Sequence, residues 1–243
     1  MFKLLTKPDS QPKAVKGEKL GVMTFVLHLA PADISGNEVC PRRTPGCTAG
    51  CLFTAGRGGF IPSVPAARIR KTKQYFADRV GFMAALAKDI AKAVRHAEKR
   101  GFLPAFRLNG TSDIAWHRVP VNGFANIMHI FPDAQFYDYT KVSKRLTRER
   151  LPANYHVTFS LAENNDDEAR AVLGAGGNVA AVFRDKATVK RAIESGFMGA
   201  PVLDGDESDV RFADAPGSVI ALYAKGRAKR DTSGFVRDIA VAA

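Results

Sequence analysis

Tyr155-His-Val-Thr-Phe-Ser-Leu161, Asp166-Asp-Glu-Ala-Arg-Ala-Val-Leu173 and Asn178-Val-Ala-Ala-Val-Phe183 follow one another with only short polar links between them. The outer two segments are rich in β-branched and aromatic residues and are of strand length. The middle one reads as a helix. A strand, a helix and a second strand at this spacing predict a parallel pair joined by a right-handed crossover.

The same rhythm extends in both directions. Towards the C-terminus, residues 187–195 read as a helix, 201–203 as a short strand and 219–223 as the last strand. Towards the N-terminus, Val22-Met-Thr-Phe-Val-Leu-His-Leu29 reads as a buried strand closed by Pro31, and residues 104–108 and 135–139 as extended segments. Residues 65–100, 121–131 and 142–150 read as helices. In the first of these, Val80, Met83, Ala87, Ile90 and Val94 recur at three- and four-residue spacing opposite Lys88, Lys92, Arg95 and Lys99. Six or seven strands alternating with helices predict an α/β fold on a parallel sheet, either open and doubly wound or a partial or complete βα barrel. Both put ligands at the C-terminal ends of the strands.

The chain has 243 residues and 46% hydrophobic content, enough for one substantial core. Residues 1–19 carry Lys3, Lys7, Lys13, Lys16 and Lys19 with Pro8 and Pro12, and are expected to form a flexible basic arm ahead of a single domain over 20–243. No apolar run approaches the ~20 residues that span a bilayer, and residues 1–19 lack the apolar core of a secretion signal. No membrane association and a cytoplasmic location are therefore expected. The excess of 36 Lys and Arg over 24 Asp and Glu, a formal charge of +12, favours phosphate-rich partners such as DNA or RNA. Arg42, Arg43 and Arg57, together with Lys141, Lys144, Arg145, Arg148 and Arg150, are the candidate basic surface, and each is equally a solvated face. Trp116, Phe53, Phe60 and Tyr75 do not interleave with these cations, so base stacking is not signalled.

The only cysteines are Cys40, Cys47 and Cys51. Three thiols in one short window do not make a disulfide framework, and their usage fits a reducing compartment. Pro41, Pro45 and Gly46 allow a turn that folds Cys40 back, while Cys47 and Cys51 share a face if their segment is helical. Thiolates select zinc, cuprous copper or iron–sulfur clusters. A structural zinc normally takes four protein ligands, and no histidine lies inside the loop. A [4Fe–4S] cluster on three cysteines leaves one iron open. Cluster, zinc and three buried thiols stay open as alternatives.

Other candidates follow the predicted strands. Asn109, Thr111, Ser112 and Asp113 surround Gly110, which would allow close backbone approach to a ligand, though the same residues also make ordinary turns. Tyr139 and Lys141 end a strand, where Lys141 suits a carboxylate or phosphate. His156 reads as a hydrogen-bonded core histidine, and Asp204, Asp206, Glu207 and Asp209 as an acidic turn for a ribose or for Arg211.

Taken together, Cys40-Pro41 through Cys51, Asn109-Gly-Thr-Ser-Asp113 and Pro132-Asp-Ala-Gln-Phe-Tyr-Asp-Tyr-Thr-Lys141 resemble a family of phage and prophage proteins with three such cysteines. More distantly, the cysteines after the first strand resemble radical S-adenosylmethionine enzymes, whose usual C-x3-C-x2-C spacing differs from the C-x6-C-x3-C here. The resemblance implies a radical-SAM-like partial (βα)6 TIM-type barrel, with a [4Fe–4S] cluster on Cys40, Cys47 and Cys51. S-adenosylmethionine would sit on the open iron, supported by Asn109, Thr111, Ser112, Asp113, Tyr139 and Lys141. The rival expectation is a mobile-element nucleic-acid-binding protein in which a cluster or zinc is structural.

Overall fold

The computed structural model describes residues 3–8 and 12–239. In chain order the elements begin β1 (Leu5–Thr6), α1 (Pro12–Glu18), β2 (Val22–Leu27), α2 (Ala32–Ser35), α3 (Pro45–Ala49), α4 (Arg57–Phe60), α5 (Ser63–Ala77), α6 (Arg79–Glu98) and β3 (Leu103–Arg107). They continue with α7 (Ile127–Ile130), β4 (Gln135–Thr140), α8 (Lys144–Thr147), β5 (Tyr155–Ser160), α9 (Asp166–Gly174), β6 (Val179–Phe183) and α10 (Lys186–Ser195). The last are β7 (Val202–Asp204), β8 (Val219–Tyr223) and β9 (Val236–Arg237).

Nine strands form one sheet of a mixed α/β fold, in the order β1-β2-β3-β4-β5-β6-β8-β7, with β9 beside β6. Only the β1–β2 pair is antiparallel. The parallel pairs run from β2 to β6 in chain order and on to β8 and β7. β5 pairs only with Val179 and Ala180 of β6, and β9 takes the part of β6 beyond, at Val182 and Phe183. The C-terminal strand thus arrives just past the end of β5.

The pleat sorts each strand into two faces. On the helix side, Phe25, Phe106 and Phe136 stand opposite one another in register and stack with ring centroids 5.7 and 5.3 Å apart. All three are fully buried, each contributing ~2 kcal/mol from burial and the pairs ~1 kcal/mol more. Against them lie Phe82, Leu86, Ile90, Ala93 and Ala97 of α6; of the stripe expected from the spacing, Met83, Ala87 and Ile90 are buried and Val94 packs at the edge of the core, but Val80 is exposed. The opposite face carries Thr24, Arg107, Tyr137, Tyr139 and Thr158, and the segment after β7 folds across it: Val210 packs with Val22, Ala105 and Tyr137, and Asp209 ion-pairs with Arg107 at 3.1 Å.

Three sequence expectations change. The single helix over 65–100 is two helices, because Asp78 leaves helical geometry and its side chain caps α6 through the Gly81 amide. Residues 121–131 hold only the short α7, since Asn122 and Gly123 adopt positive φ in a turn that bridges Val121 to Phe124. Residues 142–150 hold only α8, and Arg145 points inward.

The N-terminal segment is docked rather than an arm in its described residues. Leu4 and Leu5 are buried, β1 extends the sheet, and α1 packs on β2. The anchor is Asp89, a buried carboxylate of α6 that accepts the amides of Lys3 and Leu4, both at 2.7 Å. Replacing it leaves these donors unsatisfied. Asp89→Ala is expected to lower stability by about 3 kcal/mol, read by urea unfolding, with fast hydrogen exchange at Leu4 and Leu5; an unchanged midpoint contradicts the assignment.

Candidate metal and ligand site

The cysteine loop leaves the C-terminal end of β2 and lies over the C-terminal ends of its neighbours. Val39 is buried, and its carbonyl accepts the Asp113 amide at 2.7 Å, tying the loop to the segment after β3. Thr44 then caps α3, its hydroxyl accepting from the Cys47 amide at 3.2 Å, with Pro45 at the first position. Glu163, just beyond β5, clamps this turn: its two oxygens accept from the Thr44 hydroxyl and the Gly46 amide, each at 2.7 Å. Burial alone would raise the Glu163 pKa, but these hydrogen bonds take it below its ordinary value. A side chain at Gly46 would collide with Ser233, Phe235 and Glu163, so only glycine lets α3 seat against the C-terminal segment.

The three cysteines are half-buried and none forms a disulfide. Cys40 packs against the main core, and Cys47 against the cluster of Ala162, Ala224, Ala228, Phe235 and Val236. Burial pushes the Cys40 thiol up to about 12, with Asp113, Cys47 and Cys51 adding negative potential. The Cys51 thiol is also raised, again chiefly by burial, against the Phe53 amide and Arg68, which favour its thiolate. Burial and repulsion between neighbouring sulfurs disfavour the Cys40 and Cys51 thiolates, so a cation is needed to hold them ionised. Among the described residues, no group of three or more His, Cys, Asp and Glu side chains is gathered so as to hold a single metal ion. Thiolates on one zinc lie ~3.8 Å apart, given Zn–S bonds of ~2.3 Å, whereas a cluster spreads its ligands over separate irons. The donor set, all sulfur and three in number, is one that zinc, cuprous copper or an iron–sulfur cluster accepts.

Beside the loop opens a cavity of about 650 Å³, lined by Pro41, Arg42, Arg43 and Thr44 on one side and by Lys141 and residues 163–168 on the other. Most of its charges are paired: Arg42 with Glu168, Arg43 with Asp33 and Glu38, and Asp166 with Arg237. Lys141 has no carboxylate partner among the described residues. Its ammonium donates to Ser160 Oγ at 2.8 Å and stands 5.6 Å from the Phe235 ring centre.

The other five ligand candidates occupy different positions. Asn109 is buried, its amide and side chain held by Asp138, while its Oδ1 accepts from Ser112, the Ile114 amide and the Trp116 indole. Thr111 donates to the Leu29 carbonyl. Asp113 pairs with the buried Arg145 and accepts the Lys141 amide. Tyr139 lies under the Arg107 guanidinium on the face opposite the helices. The structure therefore gathers Asn109, Ser112 and Asp113 into a scaffold behind the loop, with Lys141 at the cavity. Gly110 does mark a close approach, but to His28 rather than to open space.

The basic surface also changes. Arg145 is internal, and Arg42 and Arg43 are ion-paired; the Arg57 side chain lies outside the described residues. The acidic turn holds Arg211 by a backbone oxygen and not by its carboxylates: the Ser208 carbonyl accepts from Arg211, whose ion pair is with Asp214, while Asp209 pairs with Arg107. His156 keeps one ring nitrogen, Nε2, without a hydrogen bond. Glu163, Arg68 and the Phe235 segment were not assigned to the site from sequence. Only the position of Glu163 directly after a strand signalled it.

The family model for Gene product 88 matches residues 3–239. The chain belongs to the Gene product 88 family. This agrees with the phage-type family expected from the cysteine loop, and the match spans all elements from β1 to β9. No curated protein and no solved structure matches the chain. No described helix of this Gene product 88 family member is long and apolar enough to cross a membrane.

The scaffold has a titration signature. Burial pushes the Asp138 carboxyl up to about 7, against the Asn109 amide and the Tyr155 hydroxyl, which favour its charged form. The folded state therefore holds a proton that the unfolded chain releases near pH ~4. Stability contributed by this group falls as pH rises from there to about 7 and is level above. In urea titrations at stepped pH, Asp138→Asn should flatten that decline relative to the parent; parallel profiles contradict it.

Proposed function

We propose that this protein is a [4Fe–4S] protein of radical-SAM-like type, in which Cys40, Cys47 and Cys51 hold the cluster and S-adenosylmethionine occupies the open iron. The observation that carries the reading is the placement of three half-buried, non-disulfide thiols at the C-terminal edge of a parallel sheet, beside a cavity of about 650 Å³. The sheet is read as a partial (βα)6 barrel: β2 to β6 and β8 follow one another in parallel, and a polar face lies opposite the helices.

Each residue then has a role set by its chemistry. Arg68 faces Cys51 and offsets the negative charge of the thiolates. Glu163 and Thr44 fix the turn that presents Cys47. The amino and carboxylate groups of the methionine moiety would take the open iron, and Lys141, the cation without a carboxylate partner, would support the carboxylate from the cavity wall it shares with Asp166, Asp167 and Glu168. Asn109, Ser112, Asp113 and Asp138 hold the segment after β3 against the loop. When bound and reduced, the cluster would supply one electron to the sulfonium. The free thiols fit a reducing compartment such as a host-cell cytoplasm.

Anaerobically purified protein should absorb broadly near ~400 nm and bleach with dithionite. Cys47→Ala should remove the band, and Lys141→Ala should keep it while weakening the response to S-adenosylmethionine about tenfold or more. A colourless protein carrying one zinc per chain contradicts the cluster. An intact band with no spectral response to S-adenosylmethionine contradicts the ligand.

A further inference from the structure

Helix α6 presents two opposed faces. Phe82, Leu86, Ile90, Ala93 and Ala97 are buried in the core. Lys88, Lys92, Arg95 and Lys99 are exposed, and at 100° per residue they fall within a strip about 60° wide and, at 1.5 Å per residue, about 16 Å long. No carboxylate among the described residues pairs with any of the four. The one aspartate of the helix, Asp89, is turned inward and held by the amides of Lys3 and Leu4, which brings the exposed Lys3 alongside as a fifth cation. Glu98 is the only exposed acid of the helix and lies off the strip. Towards the N-terminus the strip continues as Gly81, Ala84 and Ala85, small residues that keep the approach flat.

We infer that this face of α6 is a docking surface for the phosphate backbone of double-stranded DNA. Duplex DNA carries about one charge per 1.7 Å of axis, so a straight, rigid row of cations meets a complementary row of phosphates. No aromatic side chain is exposed on α6, so the surface lacks the stacking platforms by which single strands are held. Its apolar face is in the core and its one strongly exposed large apolar side chain, Val80, lies off the strip, so the cationic face has no apolar row to insert into a lipid surface. The strip has only cationic donors, which fix position on the backbone and carry no sequence information. The inference is independent of what the cysteines bind.

The test is fluorescence anisotropy of the full chain with a labelled 24-base-pair duplex from 50 to 200 mM salt. With four contacted phosphates the affinity should fall on the order of 100-fold over that range. Lys92→Gln, Arg95→Gln and Lys99→Gln combined should reduce the fall to about threefold, with an unchanged unfolding midpoint. A matched triple, Lys144→Gln, Arg148→Gln and Arg150→Gln, removes equal charge from exposed positions elsewhere and should leave the slope near the parent value. Equal loss in both triples would mean net charge alone, and overturns the surface. So would an α6 triple that binds like the parent, or a parent that binds phosphatidylserine vesicles and single strands as well as duplex.

Discussion

Parallel pairing in chain order is the constraint on which everything else in this fold depends. Once β2 to β6 and β8 run the same way, every segment that follows a strand emerges on one edge. The loop with the three cysteines, the Asn109–Asp113 segment, Lys141 and Glu163 are far apart in sequence yet meet there for that reason alone. The meeting is then fixed by a few strong contacts. The Glu163 carboxylate takes the Thr44 hydroxyl and the Gly46 amide, and Asp113 joins Arg145 to the Lys141 amide. β9 completes the edge by occupying the stretch of β6 that β5 leaves uncovered.

Beneath that edge the face opposite the helices is polar and buried, an arrangement that costs stability unless its groups find one another. Arg107 pairs with Asp209 and lies over Tyr139, and the Tyr137 hydroxyl bridges Thr24 and Asp209. Satisfaction is incomplete: His28 Nδ1, Arg107 Nε and Thr158 Oγ1 make no hydrogen bond. A layer of this kind beneath a candidate ligand site favours a defined arrangement over maximal stability.

Much of the fold was legible because hydrophobic periodicity is local. The β2, β4, β5, β6 and β8 segments, and α9 and α10, stand within a residue or two of where the sequence puts them. What was not legible depended on partners distant in the chain. Leu4 and Leu5 look like part of a charged tail until Asp89 supplies an acceptor for the backbone beside them. Arg145 looks like surface charge until Asp113 is placed opposite it. Asn109 and Asp113 looked like ligand contacts because turn residues and binding residues share a composition. Only the hydrogen bonds to Asp138, Trp116 and Arg145 distinguish the two. The cysteine loop was the most readable part of the site, since its chemistry is carried by residue type and its position by the strand before it.

The central claim is that the three thiols at this edge carry a four-iron cluster. Native mass spectrometry of the anaerobically reconstituted chain measures it most directly. The expected spectrum shows one species heavier than the bare chain by about four irons and four sulfides, lost when any one of Cys40, Cys47 or Cys51 is replaced by alanine. A bare chain, or one carrying a single zinc, would contradict it.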